Sequence, residues 1–306
     1  MRRILIIGGY LVLVAALLSA LGPWLGDAST KLDLAGHFVR QAALVAGLIA
    51  VAALIARAWV LGGAAVAILL LGLAGTWPQD GEIPRCGAYA GARILFWNMW
   101  VNNDEPQDAL AYIRNSKADA VVLIEVTNKF AESLKELSAI YPHRTPCLTP
   151  SYCHMVILSR TPIEIVTENF AGRAAQDLIA AARIKRGKQV FTLVGVHLRR
   201  PWPFDWPLAQ KRQADVLLKG LSQTDGPFVV GGDFNAVTWG RTIRYIAREG
   251  GLTPLYAAGT CPSQLPGALR IPIDQTMVSK GFACAAREEG ENAGSDHMPV
   301  IVNIGF

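Results

Sequence analysis

Three apolar stretches, at about 4–21, 41–56 and 59–74, fill the first quarter of this 306-residue chain and carry almost no charge. Each approaches the ~20 residues that a bilayer crossing needs, the last two falling slightly short. A helix without a polar face has no surface to offer water, so three in succession argue against a soluble bundle. Arg2-Arg3, the first apolar run and Leu18-Ser19-Ala20 also have the order of a secretory leader. Two further apolar segments follow at once, which favours an uncleaved anchor. The expectation is a membrane anchor of three transmembrane helices within residues 1–76. Arg2, Arg3 and Arg57 flank the spans on one side, while Lys31 and Arg40 in the intervening loop are offset by Asp27 and Asp33. Positive-inside bias then places the N-terminus and Arg57 in the cytoplasm. An odd number of spans puts everything after Trp77 outside, as the extracytoplasmic domain of a multi-pass cell-membrane protein.

The net charge of +5 is not a nucleic-acid signature. Residues 1–76 hold five of the 29 Lys/Arg and two of the 24 Asp/Glu, which leaves the remainder at only +2. A DNA-binding surface usually needs a clustered positive excess. Cysteine usage fits an oxidising compartment. Cys147 and Cys153 lie six apart across Thr149-Pro150-Ser151, and Cys261 and Cys284 flank the strand around Ile273. Both pairs can be disulfides or ordinary buried thiols, with Cys86 left over. None has metal-site spacing.

Residues 77–92 are rich in Gly, Pro and charge and form a linker. From Arg93 onward, short β-rich runs alternate with helical periodicity. Strands are expected at 93–97, 120–124, 155–158, 163–167, 178–184, 190–196, 228–230, 271–278 and 300–304, and helices at 106–116, 129–140, 208–221 and 243–248. This mixture predicts an α/β domain over 93–306, with two sheets packed face to face and helices outside.

The ends of these strands carry chemistry. Asn98, Glu125, His197, Asp233 with Asn235, and Asp274 each follow an apolar run, and Asp296-His297 precede one. Taken singly, each has a bland reading as a cap, a turn residue or a core histidine. Their joint occurrence at strand ends, where side chains are held rigidly, points to a catalytic rim. Oxygen ligands such as Glu125 and Asn98 suit Mg²⁺ or Mn²⁺. Asp274 can orient and charge-stabilise His297, and Asp233 can hold or deprotonate an attacking water. Asn235 and His197 can donate to a phosphoryl oxygen as charge builds there. Ser295 beside His297 lacks a Gly-x-Ser-x-Gly context, so metal-activated water is the simpler nucleophile.

At this point the chain resembles the endonuclease/exonuclease/phosphatase superfamily over about residues 93–306. The strings that carry the likeness are Phe96-Trp97-Asn98, Leu123-Ile124-Glu125, Val194-Gly195-Val196-His197-Leu198, Gly232-Asp233-Phe234-Asn235, Ile273-Asp274 and Ser295-Asp296-His297. The resemblance implies a four-layered α/β sandwich. It also implies Glu125 and Asn98 as Mg²⁺ ligands with Asp296 as an additional one, His297 with Asp274 as the acid/base element, and Asp233 with Asn235 as the pair that positions nucleophile and phosphate. Gln275 departs from the His or Tyr found in many members. His197 in place of Tyr leans away from abasic-site endonucleases, toward deoxyribonucleases, sphingomyelinases and phosphatases.

For substrate, Arg199-Arg200-Pro201-Trp202-Pro203-Phe204-Asp205-Trp206-Pro207 joins two cations to three aromatics just after His197. In a membrane-tethered domain such a loop can dip into the lipid interface and grip an anionic headgroup through Arg199, Arg200 and Trp202. It can equally cap the sheet, or stack nucleic-acid bases. Spans followed by an outer catalytic domain also resemble membrane-anchored members of the vancomycin/teicoplanin-resistance type, which implies a lipid-linked phosphate or pyrophosphate. The expectation is a membrane-anchored, divalent-metal phosphoester hydrolase acting on a lipid-linked or small phosphoester. An extracytoplasmic endonuclease and a catalytically silent scaffold are the alternatives.

Overall fold

The computed structural model describes residues 2–77, 83–86, 91–103, 106–147, 153–170, 179–202 and 206–306. Most of the expected linker, the turn at Thr149-Pro150-Ser151, Leu178 and Pro203-Phe204-Asp205 lie outside the described residues. The chain divides into two compact units.

The first unit comprises Met1–Gln79 together with Trp239–Arg244. Its helices are α1 (Arg2–Leu25), α2 (Thr30–Ala35), α3 (Val39–Ile55) and α4 (Trp59–Gly75). Among the described residues two segments are long and apolar enough to cross a membrane, Ile6–Leu25 and Thr30–Ile55. The expectation of three such helices is corrected to two. At 17 residues α4 is about 25 Å long, short of a ~30 Å hydrocarbon core. The second segment starts earlier than its apolar run because Ser29 caps it, its hydroxyl accepting from the Leu32 N–H (3.4 Å). Small residues set the helix contacts, with Gly62 against Ala53 and Gly72 against Ala43 and Val39. The segment Trp239–Arg244 is tied into this unit by hydrogen bonds. Trp239 Nε1–H donates to the Gly36 carbonyl (2.7 Å), and the Arg241 N–H to Asp33 Oδ1 (2.8 Å).

The second unit, Asp80–Thr238 with Tyr245–Phe306, is an α/β sandwich. In chain order its strands are β1 (Gly91–Asn98), β2 (Ala120–Val126), β3 (His143–Arg144), β4 (His154–Ser159), β5 (Ile163–Ile165), β6 (Ile179–Arg186), β7 (Gln189–His197), β8 (Phe228–Asp233), β9 (Leu252–Pro254), β10 (Asp274–Ser279), β11 (Cys284–Glu289) and β12 (Val300–Gly305). They form two six-stranded sheets, ordered β11-β12-β1-β2-β4-β3 and β5-β6-β7-β8-β10-β9. Alternation along each strand explains the layers. Ile94, Phe96, Val122 and Ile124 face inward and pack with Ala180, Leu193 and Val229 of the other sheet. Leu95, Trp97, Val121 and Leu123 face outward and are covered by Leu110 and Ile113 of α5 (Pro106–Asn115) and Phe130 of α6 (Asn128–Ser133). The sheets approach closely at Gly195, where a Cβ would lie 2.5 Å from Val122. The expected helix at 129–140 is α6 followed by a 3₁₀ turn, Leu134–Leu137. The last helices are α7 (Trp206–Ser222) and α8 (Arg241–Gly250), whose first residues belong to the first unit.

Disulfides join Cys147 to Cys153 and Cys86 to Cys284, leaving Cys261 as a free thiol. This corrects the Cys261–Cys284 pairing. The Ala285 N–H donates to the Pro84 carbonyl (2.9 Å), which lays Cys86 beside the start of β11. Cys261 is held elsewhere, bridged to Ile271.

Candidate active site

Register brings the strand ends together. β1 and β2 run parallel with Asn98 opposite Ile124, so Asn98 and Glu125 leave the sheet side by side. Glu125 is an extra residue in the ladder, since Ile124 pairs with Met155 and Val126 with His154. Its φ of +57° marks the bulge that re-aims its carboxylate. In the other sheet His197, Asp233 and Asp274 stand in one row across β7, β8 and β10.

Asp233 is the hub. Asn98 Nδ2 donates to Asp233 Oδ2 and to Glu125 Oε1, both at 3.1 Å. Asn235, at φ +47°, donates its backbone N–H to Asp233 Oδ1 (2.8 Å) and its Nδ2 to Asp233 Oδ2 (3.2 Å) and the Leu198 carbonyl (2.9 Å). Its amide is thus engaged in fixing Asp233 rather than turned outward. His197 Nε2 faces Glu125 Oε1 at 3.8 Å and Asp233 Oδ2 at 3.7 Å. His297 Nδ1 lies 2.8 and 3.0 Å from the two Asp274 carboxylate oxygens, while its Nε2 looks toward Asp233 Oδ2 at 3.9 Å and Asp296 Oδ1 at 4.0 Å. Ser295 is structural: its hydroxyl donates to the Asn98 carbonyl (2.7 Å) and accepts from the His297 N–H (3.0 Å).

Of the three residues expected to hold metal, Asn98 turns its Nδ2 to the rim while its Oδ1 accepts from the Trp100 N–H (3.0 Å), and Asp296 stands across His297 Nε2 from Asp233. Asn98 and Glu125 sit together, and Glu125, His197 and Asp233 offer ligand atoms within 4.8 Å of one another. Asp296 groups instead with Cys261 and His297. Its Oδ1 is buried with no hydrogen-bond partner among the described residues, only the His297 imidazole at 4.0 Å, which leaves it able to take a cation. The carboxylates of Glu125, Asp233 and Asp296 supply the hard oxygen donors that a divalent ion such as Mg²⁺ takes, beside the imidazoles of His197 and His297.

Arg199, Arg200 and Trp202 are exposed. The loop they open is pinned next to Asn235. Gln210 Nε2 donates to the Arg199, Phe234 and Asn235 carbonyls, and Gln213 Oε1 accepts from the Arg199 N–H. Gln275 is buried and donates to the Ala236 and Pro272 carbonyls, so its departure from His or Tyr serves the loop after Asp233. Sequence reasoning passed over Gln210, Gln213 and His154. His154 lies at the start of the apolar run 155–158, in the position that Asp296 and His297 hold before β12, and that was the available signal.

Electrostatics follow from burial and crowding. Burial raises Asp233 to about 7, helped by Asp274 and Glu125 against the pull of His297. Burial alone would lower His297, but Asp274 and Asp233 outweigh it and hold the imidazole well above its ordinary range. Burial and the neighbouring His154 push His197 down to about 4. Burial would raise Glu125, yet His197, Asn98 and the Val101 N–H together keep it below its usual value. The rim therefore holds one charged and one neutral imidazole, suited to an acid and a donor.

A pH effect follows for the metal-free chain. Below 6.5 the unfolded imidazole takes up a proton, whereas folded His197 resists until about 4. The unfolded state then binds more protons, so this group removes up to about 3 kcal/mol of stability as pH falls through that window. Asp233 works in the opposite sense, losing stability as pH rises from 3.8 to about 7. We expect His197→Gln, in chelator, to lose less stability than the parent between pH 6.5 and 4. Equal pH slopes in urea melts of the two proteins would overturn this.

Residues 95–297 match the Endonuclease/Exonuclease/phosphatase family. No curated protein matches the chain. Among solved structures, sphingomyelinase C from Streptomyces griseocarneus is 17% identical with a TM-score of 0.55, covering 71% of this chain and 100% of its own. Beta toxin from Staphylococcus aureus, a double mutant with bound magnesium ions, is 14% identical with a TM-score of 0.57 over 71% and 100% of the two chains. Humanized D. rerio TDP2 is 17% identical with a TM-score of 0.55 over the same shares. At such identities these likenesses speak for the fold, and the matched span of more than half the sequence speaks for the lineage. The chain belongs to the Endonuclease/Exonuclease/phosphatase family of phosphoester hydrolases.

Proposed function

We propose that the chain is a membrane-anchored, divalent-metal-dependent hydrolase that directs water onto a lipid-linked or small phosphoester or pyrophosphate. The observation that carries this reading is the meeting of Asn98, Glu125, His197, Asp233 and the Asp274–His297 pair at one acidic rim. Glu125 and Asp296 would hold Mg²⁺ or Mn²⁺, while Asn98, whose Oδ1 accepts from the Trp100 N–H (3.0 Å) and whose Nδ2 donates to the carboxylates, would orient Glu125 and Asp233. The bound ion would polarise a phosphoryl oxygen and make water a better nucleophile. Asp233, fixed by Asn235 and poised near neutrality, takes the water's proton. His197 donates to a phosphoryl oxygen, and His297, charged against Asp274, protonates the leaving oxygen. Exposed Arg199, Arg200 and Trp202 favour an anionic headgroup at a lipid surface over a long polyanion, for which the domain has little net positive charge.

The anchor reading has its own support. Two disulfides suit an extracytoplasmic compartment. Ile6–Leu25 and Thr30–Ile55 are each long and apolar enough to cross a bilayer.

The test uses the full chain in detergent beside Glu125→Ala, with Mg²⁺. Phosphate release from a polyprenyl diphosphate, lost in the variant, is the expected result. Cleavage of plasmid DNA instead would make the chain a nuclease. Absence of both activities, with no Mg²⁺-dependent rise in melting temperature, would leave a silent scaffold. Protease added outside intact cells should cut the second unit, and protection would reverse the topology.

A further inference from the structure

We propose that His154 is a positioning residue that sets the tautomer of His197, an assignment that rests on the donor role given to His197 above. Two observations carry it independently. The first is contact: His197 Nδ1 lies 3.0 Å from His154 Nε2, with the two ring planes only 13° apart and their centroids separated by 5.0 Å. That separation fits two imidazoles joined edge to edge through a hydrogen bond. The second is backbone: His154 has φ +56° and stands beside the β2 bulge that presents Glu125, itself at φ +57°. A non-glycine residue in the left-handed region is strained, and such strain gathers at sites where a side chain must be aimed.

The chemistry of the pair is restrictive. A bond between two neutral imidazole nitrogens needs one donor and one acceptor. On its other side His197 Nε2 faces Glu125 Oε1 and Asp233 Oδ2, both acceptors. The proton of His197 therefore belongs on Nε2, where it points into the rim, and Nδ1 is left bare. His154 Nε2–H fills that bare position. Without it, His197 is free to carry its proton on Nδ1 and turn a lone pair toward the carboxylates and the phosphoryl oxygen. A partner on the far ring nitrogen is the usual way in which a protein fixes which imidazole nitrogen does the work.

Four versions of the full chain in detergent test this: the parent, His154→Gly, His154→Gln and His154→Glu. The amide nitrogen of Gln can replace the Nε2–H donor, whereas ionised Glu offers only acceptors. With bis-p-nitrophenyl phosphate and Mg²⁺, we expect His154→Gly to lose kcat by about 10- to 100-fold with little change in KM. Its melting temperature should stay level or rise by about 2 °C, because glycine relieves the positive φ. Gln should recover kcat to within about threefold of the parent, and Glu should not. Loss of kcat in step with loss of melting temperature, or equal rates for Gln and Glu, would overturn the assignment. ¹⁵N spectra of the histidine rings give a readout that does not depend on turnover. The parent should show His197 with a bare Nδ1, and His154→Gly a mixture of tautomers. If the parent hydrolyses nothing yet shows that single tautomer, the functional reading fails and the positioning role stands. A parent with mixed tautomers would end the proposal.

Discussion

His297→Gln is expected to lower kcat by about 10³- to 10⁴-fold, which is about 4–5.5 kcal/mol of transition-state stabilisation. The size follows from geometry. His297 Nδ1 is bonded to both oxygens of Asp274, and its Nε2 is directed at the space between Asp233 and Asp296. Only a charged imidazole held in that direction can deliver a proton to a leaving oxygen. Glutamine keeps polarity and approximate length, but its amide N–H can only donate a hydrogen bond and cannot transfer a proton near neutral pH. The variant should fold, because the Trp97 and Ser295 contacts to His297 use its backbone. Steady-state kinetics on the chromogenic diester decide the matter. A loss below about tenfold would remove His297 from the proton-transfer role. A KM effect without a kcat effect would make it a binding residue.

Gly232→Ala is expected to cost the fold itself about 4 kcal/mol, an effect few single substitutions reach. Gly232 has φ +140°, and a Cβ there would lie 2.1 Å from the Val196 carbonyl oxygen and 2.8 Å from Ile124 Cδ1. The nearer atom is main chain of the paired strand β7 and cannot swing aside, so the β7–β8 register beside Asp233 must give way. Gly187→Ala is the matched control. It also has a positive φ, +61°, but nothing lies within 4 Å of its Cβ position. About 1–2 kcal/mol is expected there from backbone conformation alone. Urea midpoints for the pair separate the two causes, and similar losses would show that the close approach at Gly232 is harmless.

Those two expectations differ in how far the sequence foretold them. The string that ends in Asp296-His297 and the residue Asp274 were visible because each abuts an apolar run, and strand ends converge in a sandwich. The need for glycine at 232 was not visible, since it depends on the carbonyl of a strand 36 residues away. The same reason hid His154, which meets His197 only after two strands from different sheets are packed. β11 escaped notice because Arg287, Glu288 and Glu289 give an edge strand no hydrophobic signature. The Cys86–Cys284 pairing escaped for want of that strand. The second membrane-length segment reaches back to Thr30, beyond its apolar run, because Lys31, Asp33 and Arg40 interrupt its hydropathy while α2, a 3₁₀ turn over Gly36–Phe38 and α3 follow one another without a gap.

The position of β12 between β1 and β11 has a consequence for how the molecule is made. Its two neighbours are synthesised first and leave a gap one strand wide. Until residues 300–305 have emerged from the ribosome, β1 and β11 each present a bare row of amide and carbonyl groups, the kind of edge that recruits other chains. The insertion that fills the gap also draws in the preceding turn, which carries His297. Closure of the sheet and arrival of His297, the proposed acid, are therefore one event in biogenesis, so a nascent chain stalled before residue 300 would lack that group in place and be prone to aggregate.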